Sequence, residues 1–423
     1  MKKILTVSLI LVLALGSVFA NGAKESASTG PTKLVWAAWD IQTTPYYAAI
    51  EQAYEAANPN VDIELLDLGS ADYSTMLQTQ LSGGDDSIDV VAIKDIPGYN
   101  NHVKANLLTN LTPNINSDGV DLSLYGGITD QIEVNGNLYA LPFRSDFWVI
   151  YYNKALFDKA GVAYPDNDMT FEEYDALARK MTSGSGSNKV YGAHYHTWRS
   201  AVQLFGVLDG KHSVLDGEYS FMKPYYEMVL NQQNDGICMP YGSLKTSGTH
   251  YTGVFYNNQV AMLNMGSWFI SSLIAAIDTG ESQATEWGIV KYPHAEGVEP
   301  GSTLQTITSI GVSAHSKNQE AAWDFVKYVS GPECAEVIAK TGTFPAITSD
   351  AVVDIIKATP GFPQDDASAE ALKVSHGYLE MPLHDKAAEI EVVLNQNHDA
   401  IMTNSVTVDA GLAKMGEQVQ KYL

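Results

Sequence analysis

Arginine is nearly absent from this 423-residue chain, occurring only as Arg144, Arg179 and Arg199. Lysine does not make up the difference: 25 Lys+Arg face 49 Asp+Glu, a formal net charge of −24. Nucleic-acid binding needs clustered cations to displace phosphate counterions, so that class is excluded. Docking on an anionic membrane surface is excluded on the same ground. Cysteine is scarce too, present only as Cys238 and Cys334. Two cysteines make neither a disulfide framework nor a metal site, and two free, buried thiols are expected. Charged residues total 17%, below the ~25% of an average domain. No apolar run reaches the ~20 residues of a membrane-spanning helix.

What is present is a large apolar fraction, 45%, with 23 Tyr and 7 Trp. That is enough for a substantial core and rules out a disordered chain. The length suggests roughly two or three domains. Residues 1–20 read as a signal peptide: Lys2 and Lys3, an apolar stretch from Ile4 to Leu15, and small residues around a cut after Ala20. Asn21 follows instead of a cysteine, so a lipoprotein anchor is unsupported and export to the periplasm is expected. Removing Lys2 and Lys3 would take the charge to about −26. Residues 21–32 read as a disordered leader.

The pattern that follows is β-α-β-α-β. Lys33–Trp39 and Val61–Leu68 are expected strands, with a helix from Pro45 to Ala57 between them. A second helix spans Ser74–Leu81, and Ile88–Ile93 reads as a buried parallel strand. In such sheets ligands bind beyond the carboxyl ends of the strands, here at Trp39-Asp40 and Lys94-Asp95. Leu138–Pro142 and Phe147–Tyr152 read as two extended pieces with Phe143–Asp146 between them. Thr170-Phe-Glu-Glu173 is a capping box opening a helix to about Met181. Further helices are expected over Tyr219–Asn231, Ser267–Ile277, Gln319–Val329 and Asp385–Met402, and strands over Val190–His196 and Ile307–Ser313.

Four segments together resemble the extracellular solute-binding proteins of bacterial ABC importers, in the carbohydrate-binding group that includes maltose-binding protein. They are Asn135–Val162, Tyr256–Phe269, Ile310–Val329 and Thr341–Ala346. The resemblance implies two doubly wound α/β lobes joined by a hinge, with crossings near Leu141–Asp146, Thr306–Gly311 and Thr341–Ala346. Lobe one would be 33–142 plus 309–344, and lobe two 143–308 plus 345–423. It also implies a sugar ligand in the interlobe cleft, membrane permease subunits as partners, a monomer, and no cofactor or catalytic residue. Cys238 and Cys334 would then sit in different lobes, where a bond between them would block closure.

A sugar offers flat C–H faces to aromatic rings and hydroxyls to charged groups, whose hydrogen bonds are the strong ones. The candidate ligand contacts are Trp39, Asp40, Asp95, Arg144, Asp146, Trp198, Arg199, Gly266, Trp268 and Phe344. Trp268 follows the turn Met265-Gly266-Ser267, where the resembled family places a stacking aromatic. Gly266 there would let a ligand approach the backbone. Asp95 reads either as a hydroxyl acceptor or as a helix cap, Trp39 as contact or packing. Arg144 and Asp146 read either as cleft contacts or as a salt bridge. Trp198 and Arg199 pair a tryptophan with a scarce arginine. Gln305 is a weaker candidate; Trp148 and Trp323 fit the core. His194 and His196 share a strand face, but two ligands do not make a metal site. Competing classes are a secreted glycosidase using Asp95 and Asp146, a sensor's ligand-binding protein, and the same fold with a non-sugar solute.

Overall fold

The computed structural model describes residues 30–70 and 73–423. The expected signal peptide and nearly all of the leader lie outside the described residues. Thr32, the last leader residue, already begins the first strand.

Nine strands occur among the described residues: β1 (Thr32–Ala38), β2 (Val61–Asp67), β3 (Val90–Ile93), β4 (Leu141–Asn153), β5 (Tyr191–His194), β6 (Val260–Gly266), β7 (Trp287–Lys291), β8 (Ser302–Val312) and β9 (His376–Leu379). β1 pairs in parallel with both β2 and β3, and the path runs β2-β1-β3-β8-β4-β6-β5. β7 pairs with β4, and β9 pairs with β8. The expected β-α-β-α-β opening is therefore present as a right-ordered parallel unit, with β8 added antiparallel.

Helix Pro45–Ala57 forms because Pro45 presets the first turn and Tyr46, Tyr47, Ile50 and Tyr54 line one buried face. It stops at Asn58, before Pro59, and the Asn58 side chain donates to the Tyr54 carbonyl at 3.0 Å. Beneath it Trp36 is fully buried, edge-on to Tyr47 at 5.2 Å and to Phe325 at 5.3 Å. The capping box is present: Glu173 N donates to Thr170 Oγ1 at 3.2 Å, and Thr170 N to Glu173 Oε2 at 2.9 Å. The helix expected from Tyr219 starts instead at Lys223, after a 3-10 turn over Ser220–Met222. Pro224 explains the start, since proline is tolerated in a helix's first turn and not in its interior.

The buried side chains gather around two regions of the sheet. One core is built on Trp36, Val90, Val91, Ile310 and Phe325. The other side holds two clusters, around Trp148, Tyr152 and Tyr226 and around Tyr151, Phe269 and Ile289. Cys334 lies in the first core and Cys238 in the second, both free and buried.

One expectation is corrected here. Phe143–Asp146 is no break: β4 is a single 13-residue strand, buried along its whole length. It pairs with β8 from Leu141↔Ile310 to Phe147↔Gln305, with a register shift between Pro142 and Arg144. The polar run Arg144-Ser145-Asp146 looks like a turn in sequence, but the fold brings it partners: Arg144 meets Tyr46, Thr308 and Asp146, Ser145 meets Gln305, and Asp146 meets Ser267, with Arg144 Nε left without one. Arg144 lies opposite Thr308 on one side and bridges to Pro345 on the other. Three chain segments thus pass between the two core regions at Arg144.

Candidate functional site

The carboxyl ends of β1 and β3 place Trp39-Asp40 and Lys94-Asp95 side by side. Asp40 takes a left-handed backbone (φ 52°), which Asp adopts more readily than most residues. Trp39 is 8% exposed, packed on Tyr73 at 4.8 Å, with the Lys94 ammonium 5.5 Å from its ring centre. Lys94 Nζ donates to Ser70 O at 2.9 Å and to Ser70 Oγ at 3.0 Å. Asp95 does cap the helix Ile96–Lys104, accepting from Gly98 N at 2.7 Å. Burial raises its carboxyl pKa, opposed by that backbone hydrogen bond.

A second wall is aromatic. Trp268 follows β6 at the turn, with its ring laid over Gly266; a Cβ on Gly266 would meet Trp268 Cζ3 at 2.0 Å. The Gly266 hydrogen therefore makes room for the indole. Trp268 Nε1 donates to Tyr251 Oη at 3.2 Å, and the ring stands edge-on to Trp148 at 5.6 Å. Trp198 lies 6.1 Å from Trp268 and 5.8 Å from Tyr251, and is 36% exposed. An indole that open, held among the rings of Trp148, His196, Tyr251 and Trp268, is a flat apolar surface with a polar edge.

Arg199 is buried behind this wall. Its guanidinium pairs with Glu391 through Nε to Oε1 at 2.7 Å and through Nη2 to Oε2, and Nη2 also donates to Glu380 O at 3.1 Å. Glu380 in turn accepts from Trp148 Nε1 at 2.8 Å, Thr306 Oγ1 at 3.0 Å and Ser200 Oγ at 2.9 Å. Burial pushes the Glu380 pKa up, and Arg199 pulls it back. The two walls feel each other. Glu391 raises and Arg199 lowers the Asp95 pKa. Burial holds His250 below its ordinary value, while Asp40 raises it and Lys94 lowers it further.

Arg144 and Asp146 form an ion pair at 2.9 Å, with Asp146 fully buried and Arg144 7% exposed. Arg144 Nη1 donates to Tyr46 Oη at 2.6 Å, and Asp146 Oδ1 accepts from Ser267 Oγ at 2.8 Å. The salt-bridge alternative is therefore the one seen. The pair ties the first helix, through the strand crossing, to the turn that carries Trp268. A glycosidase needs two carboxylates flanking the scissile bond; Asp146, enclosed and ion-paired, is not placed for that. Phe344 is 2% exposed, packed edge-on against Phe147 at 4.7 Å, and lies in the core. Gln305 Nε2 donates to Ser145 Oγ at 2.7 Å within the crossing.

Tyr251, His250, Glu380 and Glu391 were not among the sequence candidates. Tyr251 and His250 sit in an unremarkable polar-aromatic stretch, and Glu380 reaches Trp148 across 232 positions of sequence. The one available signal was the scarcity of arginine, because Arg199 needed a carboxylate partner. No group of three or more His, Cys, Asp or Glu among the described residues could hold a metal ion.

A sheet shared between two core regions, with aromatic and acidic side chains brought together from both, is the arrangement expected of a solute-binding fold. The chain matches the family of bacterial extracellular solute-binding proteins over residues 39–335, and it belongs to that family. A sugar transporter of Rhizobium etli, solved in an open conformation, is 51% identical, with a TM-score of 0.77 over 92% of this chain and 99% of that one. An ABC substrate-binding protein of Listeria monocytogenes, solved in complex with cycloalternan, shares the fold at 22% identity and a TM-score of 0.76, over 92% of this chain and 98% of that one. The sn-glycerol-3-phosphate-binding periplasmic protein of Yersinia pseudotuberculosis is 22% identical over 297 residues, 66% of this chain and 65% of that protein. The family is extracellular, its members bind solutes, and no helix among the described residues is long and apolar enough to cross a membrane.

Proposed function

We propose that this protein captures a mono- or oligosaccharide between two lobes and delivers it to the permease of an ABC importer. The observation that carries the reading is the aromatic wall of exposed Trp198 and half-buried Trp268, backed by buried Tyr251, set against Asp40 and Asp95 on the other side. Rings would take the sugar's C–H faces, and carboxylates its hydroxyls. The 51% identity to the Rhizobium etli sugar transporter supports the same ligand class. Of the sequence candidates, Trp39, Asp40, Asp95, Trp198, Gly266 and Trp268 form or support the two walls. Arg144, Asp146 and Arg199 hold the walls in place from behind.

Binding is the whole mechanism. The lobes, 33–142 plus 309–344 and 143–308 plus 345–423, rotate about the β4–β8 crossing and close on ligand. The closed form docks on the permease, and reopening releases the sugar; no bond is broken. The mature chain acts as a monomer in the periplasm, where its acidic surface keeps it free of the lipid face. Titration with a broad saccharide set, followed by tryptophan fluorescence, tests this. A saturable change with at least one saccharide is expected, because Trp198 and Trp268 change environment on binding. No change across the set would overturn the carbohydrate assignment.

A further inference from the structure

Helix Ile96–Lys104 starts at Asp95 in the site and packs on helix Ala387–Met402, which carries Glu391 and is rooted in the opposite core. Asn100 sits on the first of these, 2% exposed. Its Nδ2 donates to two backbone carbonyls, His384 O at 2.9 Å and Asp385 O at 3.3 Å. Those carbonyls belong to the segment 380–386, which joins β9 to the Ala387 helix. Within this segment Met381 is buried in the second core, while Leu383 packs against the first. The segment opens at Glu380, whose carboxylate gathers Trp148, Thr306 and Ser200 and whose carbonyl accepts from Arg199. It is a strap with one end fixed among the polar groups behind the aromatic wall and the other held by the facing lobe.

Asn100 lies about 7.5 Å of helix beyond Asp95, while the third hinge segment meets β4 at Arg144. The position matters for sign. A contact between the lobes that is made only in the closed form favours that form by its own strength.

We propose that Asn100 is a latch that sets the open–closed balance of the lobes by gripping the 380–386 strap, without touching ligand. The inference rests on the two-lobe reading above. A protein whose binding-competent form is only partly populated binds with affinity reduced by that fraction. Losing both donors of a buried amide should shift the ratio roughly three- to tenfold toward open, the scale of one net hydrogen bond.

Small-angle scattering on the full mature chain without ligand tests the latch. Asn100→Ala removes both donors; Asn100→Asp keeps the shape and sets a charge against the two carbonyls. Both variants should have a larger radius of gyration than the wild type, with far-UV circular dichroism unchanged. Leu383→Ala loosens the strap from the first core and should expand the protein in the same way, which keeps the test decisive if an Asn100 variant does not fold. Folded variants with the wild-type radius would overturn the latch. A saccharide titration with no response would overturn the proposed function and leave this comparison standing.

Discussion

Replacing Gly266 with alanine should unseat Trp268 and weaken saccharide binding as much as removing the indole itself. The new Cβ would lie 2.0 Å from Trp268 Cζ3 and 2.3 Å from Cε3 and Cη2, far inside ordinary contact. The ring must retreat by more than an ångström. It cannot do so freely, because Nε1 is held by Tyr251 Oη at 3.2 Å and the face is boxed by Trp148 at 5.6 Å. Overpacking of this kind costs ~1–3 kcal/mol. A stacking aromatic on a flat ligand contributes ~1–3 kcal/mol, so affinity should fall ~5- to 150-fold. Calorimetric titration of Gly266→Ala, Trp268→Ala and the double variant measures it. With the ring gone the alanine has nothing to displace, so the double variant should bind no worse than Trp268→Ala. Wild-type affinity in Gly266→Ala, or losses that simply add, would refute the reasoning.

Three further outcomes follow from the same geometry. Arg144→Leu strands the fully buried Asp146 and should destabilise the fold by ~3–5 kcal/mol in chemical denaturation; Arg144→Leu combined with Asp146→Leu should recover most of that, and an equally unstable double variant would contradict the pairing. Trp198→Ala removes a 36% exposed ring, so stability should change by less than ~1 kcal/mol while saccharide affinity falls ~5-fold or more; unchanged affinity would take Trp198 out of the site. Stability should also fall with acid between pH 7 and 5.5. Burial pulls His194 and His102 down to about 4, and His196 and His398 to about 3. The unfolded chain therefore binds protons near pH 6.5 that the fold refuses, at up to ~1.4 kcal/mol per pH unit for each histidine. Burial raises Asp95, Asp146 and Glu380, which act in the opposite sense as they take up protons. Ring-proton NMR of the folded protein that showed these four histidines titrating near pH 6.5 would refute the expectation.

The parts of the fold legible in the sequence were those with a clean period. The β1-to-β3 unit and the Gln319–Val329 helix show apolar spacing that matches their observed burial. The continuous β4 was not legible, because Arg144-Ser145-Asp146 carries turn-like polarity whose partners Tyr46, Gln305 and Ser267 are brought to it only by the tertiary fold. In the proposed site, the strand-end rule pointed to Trp39-Asp40 and Lys94-Asp95, and the Gly266–Trp268 turn stood out by resemblance. Tyr251, Glu380 and Glu391 reach the site only through tertiary pairing, and no local pattern marks them.

A thermal-shift screen of the mature chain tests saccharide capture by Trp198 and Trp268 at its root. It would set neutral saccharides and polyols beside glycerol phosphate, amino acids, peptides and polyamines. A ligand that binds only the folded state stabilises it by RT ln(1 + [L]/Kd), ~2.7 kcal/mol at a hundredfold excess over Kd. A dose-dependent rise in melting temperature with a saccharide is expected, lost in Trp268→Ala. Stabilisation confined to a non-saccharide, or a saccharide shift that survives loss of both Trp198 and Trp268, would contradict it.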